Sequence, residues 1–191
     1  MYSEEDYIKR IIPHRLNMIE IMLFAMTEMR QSIEPKKMMV YVDDKLCFKG
    51  LETAFTNPAI EAGIINCRAM LEFLGLELKK ENLDTRSTKK YPDQKYIEDF
   101  KFSGNPLEKV TPAKVTRLSK TDGEKGVEAI ARLLQIANKE IAHITDGRSE
   151  ENDRTDFELL VIGARGIRAL TVNYFYIPLG LNLPEKLIQH T

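Results

Sequence analysis

The side chains whose grouping in this sequence could do chemistry gather at two places. The histidines are His14, His143 and His190, no two of them close together. His143 stands in Asn138-Lys139-Glu140-Ile141-Ala142-His143-Ile144-Thr145-Asp146-Gly147-Arg148, at the end of a long apolar-periodic stretch. A helix C-terminus favours the charged imidazolium, and Glu140 three residues earlier acts in the same direction. A protonatable imidazole beside Lys139 and Arg148 suits a phosphodiester: His143 would move a proton while the guanidinium holds the phosphate. The plainer assignment is that His143 meets the last carbonyls of its helix. Thr145, Asp146 and Arg148 then shape the turn that follows.

The second place is the stretch Asn57 to Gly75. It is apolar almost all round, and its polar residues Glu61, Arg68 and Glu72 lie seven and eleven positions apart. At roughly 100° per residue Arg68 and Glu72 fall about 20° to either side of Glu61 on a helix. Such a stripe is either the one solvent-facing edge of a buried helix or a polar face turned to a cleft or a dimer partner. Cys47 and Cys67 form no Cys-x-x-Cys pair and read as small buried hydrophobes. No glycine-rich phosphate loop, nucleophile elbow or paired Glu-x-x-His motif occurs, so no metal and no cofactor is expected.

These residues need helices to position them, and the hydrophobic pattern supplies four. Ser3 to Asp6 is a helix start with a hydroxyl cap and an acidic first turn. Pro13 opens a second stretch, with Leu16, Ile19, Leu23 and Met26 on one face to about Gln31. Asn57-Pro58 predicts the N-cap and first residue of the central helix, which Gly75 closes. Thr121-Asp122 begins a third, where Val127, Ile130, Leu134, Ala137, Ile141 and Ile144 form a bundle seam closed by Gly147. A fourth runs from near Asp153 to about Tyr176 with Phe157, Leu160, Ala164, Ile167, Thr171 and Tyr174 inward. Gly163 and Gly166 permit a close neighbour, and Pro178 ends the helix. The pattern predicts an all-α, antiparallel bundle of four to five helices in one domain, residues 1–191.

Two segments do not fit the bundle. Residues 38–48 read as a small β-hairpin, or as a short helix or loop. Residues 79–120 break the periodicity, hold Pro92, Pro106 and Pro112, and carry eleven Lys or Arg against six Asp or Glu. They are expected to form an irregular basic connector whose interleaved Tyr91, Tyr96, Phe100 and Phe102 could meet RNA bases. Residues 179–191 are expected as a C-terminal arm that docks on the bundle or on another subunit. The net charge of -1 exerts no global pull toward nucleic acid or anionic membrane. The acidic start, Ser3-Glu4-Glu5-Asp6, is unlike a secretory leader, and no run reaches the ~20 apolar residues of a membrane span, so a cytoplasmic location is expected.

Cys67-Arg68-Ala69-Met70-Leu71-Glu72-Phe73-Leu74 and Asn138 to Thr145 with Arg148 resemble a group of small bacterial helical proteins and are distantly similar to the HEPN superfamily. The likeness follows helix order over roughly residues 57 to 176. It implies a helical bundle that dimerises and a metal-independent ribonuclease or nucleotide-processing activity. His143 would be the acid/base, with Arg148 or Arg68 as phosphate ligand and Asn138 where the family carries its Arg. Against that stands a non-enzymatic binding or dimerisation module that would use the basic 79–120 segment or the C-terminal arm as its contact surface; Asn138, Lys139, Glu140, Glu61 and Glu72 are the candidate binding residues. It is the reading the residues favour; RNA binding through 79–120 is the third.

Overall fold

The computed structural model describes residues 2–29, 34, 36–89, 91, 93–118, 123–140 and 150–185. Its first helix grows from a capping box. Ser3 Oγ accepts from the Asp6 N–H and the Asp6 carboxylate accepts from the Ser3 N–H, both at 3.1 Å. Glu4–Asp6, Tyr7–Ile11, Ile12–Phe24 and Ala25–Met29 then run on as one helix, α1. Pro13 does not divide it. Tyr7–Ile11 is a wide π turn in which the Ile12 N–H donates to Tyr7 O, five residues back. Widening the helix there makes room for the proline ring and removes the ladder bond it could not make.

Strands β1 (Lys37–Val42) and β2 (Lys45–Leu51) form an antiparallel hairpin, one of the conformations open to residues 38–48. Asp43 and Asp44 turn the corner at φ 47° and 60°, the left-handed pair that a two-residue hairpin turn needs. The central helix α2 (Thr53–Leu74) starts earlier than Asn57-Pro58 indicates. The Glu52 N–H donates to Lys36 O, and the Phe55 and Thr56 N–H groups donate to Glu52 O. The hairpin therefore feeds straight into the helix, and Pro58 lies inside it. Gly75 closes α2 at φ 95°, as its position predicts.

The segment 79–120 is not an irregular connector. It completes β3 (Leu76–Lys79) and contributes β4 (Asn82–Thr85), a short 3-10 turn at Ile97–Asp99, β5 (Lys101–Phe102), β6 (Asn105–Pro106) and the helix α3 (Pro112–Leu118). Tyr96, Ile97, Phe100, Leu107, Val110 and Val115 are buried in the main core. Their spacing follows no single period because each sits in a different turn or strand. The fold is thus mostly helical with three two-stranded sheets, not a pure all-α bundle.

The other two long helices are α4 (Gly123–Gln135, continued by the π turn Ile136–Glu140) and α5 (Glu150–Thr171, continued by Val172–Tyr176). They pack on each other, as α1 packs on α2. Ile130, Leu134 and Ala137 of the seam are buried; Ile141 and Ile144 lie outside the described residues. Leu160 is buried as expected, beside Leu159 and Val161, whereas Phe157, also expected inward, is 38% exposed. Arg132 grips Asp156 through two hydrogen bonds of 2.6 Å and ties α4 to α5. Gly163 lets the helices close, since a Cβ there would stand 3.1 Å from Ala129 O. Phe73, Phe100 and Phe175 meet edge to face at 4.9 to 5.8 Å and join α2, the 97–100 turn and the end of α5. Of the expected C-terminal arm, Leu181 packs on the core and Leu183 is exposed; residues 186–191 lie outside the description. Among the described residues no helix is long and apolar enough to cross a membrane.

Candidate functional site

The polar stripe on α2 has two ends with different surroundings. Glu61 is exposed. Arg68 is half-buried and its Nε donates to Glu72 Oε1 at 3.1 Å. Glu72 in turn lines a cavity of about 230 Å³ together with Leu76, Glu77, Leu78, Arg86, Thr88, Tyr96, Leu134 and Asn138. Asn138 and Lys139 are exposed on the π turn that ends α4. Lys139 Nζ pairs with Glu81 Oε1 at 3.1 Å, across to the β3–β4 turn. Of the residues singled out by sequence, the fold brings Glu72 and Asn138 to one cavity, with Arg68 bound to Glu72 behind it. The Glu140 side chain, His143 and Arg148 lie outside the described residues. Cys47 is exposed, contrary to expectation, because the hairpin that carries it stands out from the core; Cys67 is buried as expected, and burial pushes its thiol pKa up.

The most deeply buried charged residue on this wall is Arg86, which the sequence does not single out from ten other basic residues nearby. It leaves β4 as the chain turns back over the end of α2, its N–H donating to Gly75 O at 2.8 Å. Only 3% of it is exposed. Its guanidinium carbon stands 3.9 Å above the centre of the Tyr96 ring, and Nη2 donates to Glu98 Oε1 at 2.5 Å. Lys109 adds a second cation 3.8 Å from the same carboxylate oxygen and donates to Arg86 O at 2.9 Å. Nε and Nη1 of Arg86 and Oε2 of Glu98 are buried without a hydrogen-bond partner. A buried cation with unmet donors is costly, so this corner of the fold carries an under-satisfied charge.

Three further cations of the 79–120 segment are met by its own carboxylates. Lys79 pairs with Asp84 at 3.8 Å, Lys114 with Glu108 at 2.9 Å, and Lys89 with Asp99. Burial alone would raise the Asp99 pKa. The Lys89 hydrogen bond, the Tyr96 N–H and the charges of Lys89 and Lys95 outweigh it and hold the carboxyl below its ordinary value. A carboxylate depressed in the folded state stabilises the fold above its unfolded pKa of about 4 and loses that contribution as pH falls through the folded value. Asp99→Asn should therefore flatten the acid limb of the stability profile below about pH 4, read by urea melts across pH. An unchanged limb would remove Asp99 from the acid response.

The cavity's lining is suited to recognition. It places the carboxylates of Glu72 and Glu77 and the two-way amide of Asn138 beside apolar walls from Leu76, Leu78 and Leu134. Among the described residues no group of three His, Cys, Asp or Glu side chains is placed to hold a metal ion. No family model, curated protein or solved structure matches this chain. The HEPN likeness accordingly rests on its two residue patches.

Proposed function

We propose that the chain is a non-enzymatic association module that pairs with a second copy of itself through the β1–β2 ribbon. One observation carries the reading: both faces of that ribbon are apolar and open to solvent. Alternation places Met38, Val40, Val42 and Phe48 on one face and Met39, Tyr41, Leu46 and Leu51 on the other, with Cys47 the extra residue of a bulge. Met39, Tyr41 and Val42 are each more than half exposed, and Leu46 and Leu51 nearly so. An isolated two-stranded hairpin is marginal in water, and a monomer seldom exposes so large an apolar patch.

The area and the charges favour a second copy as the occupant. The face of Met39, Tyr41, Leu46 and Leu51 presents roughly 450 Å² per copy, so a symmetric pair on that face would bury roughly 900 Å², the size of a weak association. The acidic tip, Asp43-Asp44, and the basic residues Lys37 and Lys49 lie at opposite ends of the ribbon. Two ribbons related by a two-fold axis would set each tip beside the partner's basic end.

Light scattering on a size-exclusion column tests this. The intact chain is expected to elute as a dimer at micromolar concentration. Met39→Glu with Tyr41→Glu should weaken the dimer at least ~100-fold, about 3 kcal/mol, and leave the thermal midpoint of the dilute protein unchanged. A chain that stays monomeric at every concentration would sink the reading.

A further inference from the structure

We infer that the surface between the first half of α1 and the second half of α2 binds a phosphate monoester carrying an aromatic group. This does not depend on the ribbon or on self-association. Two adjoining clefts lie there, of about 300 and about 460 Å³. Ile11 and Arg15 line both, so the clefts meet along one ridge of α1, where residues four apart are neighbours. No acidic side chain lines either cleft, although the chain as a whole has a net charge of -1.

Arg15 is half-buried, and its Nη1 donates to Asn66 Oδ1 at 3.1 Å. Asn66 is fixed in turn, because its Nδ2 donates to Ala62 O at 2.8 Å. A neutral amide thus orients the guanidinium and leaves its charge uncompensated. Unlike the nitrogens of Arg86, those of Arg15 are not sealed from water: among the described residues the buried, unpartnered side-chain atoms belong to Asn17, Thr56, Arg86, Glu98 and Arg168. Arg10 and His14, both exposed, line the second cleft one turn apart. Arg10 gives Nη1 to Asp6 at 3.1 Å and keeps further donors. Lys95 lines the first cleft; its charge acts on Asp99, which is bonded to Lys89 instead. Three cations and an imidazole around clefts without a carboxylate favour a ligand with more than one negative charge. A phosphate monoester carries about -1.5 to -2 at pH 7 and three strong acceptor oxygens, and a guanidinium fork matches two of them.

The first cleft supplies the place for the ring. Tyr2, Tyr7, Ile11, Met70 and Phe73 line it, and its volume is that of roughly ten waters at ~30 Å³ each, enough for one aromatic ring. Tyr7 is braced edge-on by Tyr2 at 6.3 Å and by Phe100 at 6.2 Å, so this wall is set before the ligand arrives. The π turn Tyr7–Ile11 contributes Tyr7, Arg10 and Ile11 together. Such turns inside α-helices are frequent at functional sites, and here one turn carries part of both the aromatic and the cationic wall. The phosphate sits on Arg15 where the clefts join, with Arg10 and His14 beside it, and the ring enters the first cleft.

Titration calorimetry of the intact chain with phenyl phosphate tests the assignment. Phenyl phosphate should bind saturably, one per chain. Inorganic phosphate lacks the ring and benzoate lacks the second charge; each should bind at least about tenfold more weakly. Arg15→Gln keeps a donor for Asn66 and should weaken phenyl phosphate at least about thirtyfold, with the ligand-free melting midpoint unchanged. His14→Gln, on the exposed side, is the second arm and should cost about threefold to tenfold. Phosphotyrosine within a short glycine peptide separates the sources of such a group. Tighter binding than phenyl phosphate assigns a modified protein, and weaker binding assigns a small molecule; either result upholds the ligand class. The assignment is overturned if phenyl phosphate gives no saturable heat, if inorganic phosphate or benzoate matches it, or if affinity survives both substitutions.

Discussion

Gly63→Ala lowers the unfolding free energy by about 2–3 kcal/mol, against the usual gain from replacing a helical glycine. A Cβ at residue 63 would stand 2.2 Å from Met22 Cβ and 2.8 Å from its Cγ and Sδ. The far end of a methionine could move aside, but its Cβ is fixed to the backbone. Relief requires α1 and α2 to separate, and this is the contact on which Met22, Ile64 and Cys67 are buried. Helix propensity returns about 1 kcal/mol and does not offset the separation. The expected loss is roughly 5–10 °C in melting midpoint for a chain of this length. Gly166→Ala is the matched control. There the new Cβ meets only Ile130 Cδ1 at an ordinary 3.8 Å, so the midpoint should hold or rise by about 0.5–1 kcal/mol equivalent. Parallel urea melts of the two variants decide the matter: equal effects would mean that the α1–α2 approach does not limit the fold.

That contrast shows what a sequence of this kind conveys and what it withholds. The long helices are legible because Leu16, Ile19 and Met26, or Ile130, Leu134 and Ala137, repeat at the helical period and turn one face inward. Gly75 is legible as a stop, since a left-handed residue at that point has a local signature. Gly63 is not, because a glycine in an apolar helix has the same local pattern whether it faces a backbone or open space. The burial of Tyr96, Phe100 and Val110 is hidden for a related reason. Each is placed by a different short strand or turn, and only the tertiary fold gathers them. The cavity combines both cases. Glu72 is visible from its place on the α2 stripe and Asn138 from its place at a helix end. Arg86 is one base in a basic stretch until β4 carries it over Tyr96. Three residues from three elements make the site, and no spacing within any one of them reports it.

Glu98→Leu should cost about 3–5 kcal/mol, and Arg86→Met far less, about 1–2 kcal/mol. The two substitutions break the same ion pair and differ in what they leave behind. Without Glu98, a guanidinium that is 3% exposed keeps its full charge with no carboxylate in reach of Nη2 and with Nε and Nη1 already unmet. The Lys109 ammonium, 3.8 Å from Glu98 Oε1, loses its counter-charge too. Without Arg86, the Glu98 side chain is 19% exposed, so water reaches it, and Lys109 remains beside it. A methionine of similar length keeps contact with the Tyr96 ring and adds no polar group to bury. The asymmetry follows from which charge is stranded, and a simple count of lost contacts would instead predict equal losses. Guanidinium melts of the single variants measure it, and the double variant extends the test. Glu98→Leu with Arg86→Met should recover most of the stability that Glu98→Leu alone removes, because the stranded cation is gone. If the double variant is as unstable as the sum of the singles, Arg86 is not an under-satisfied buried charge.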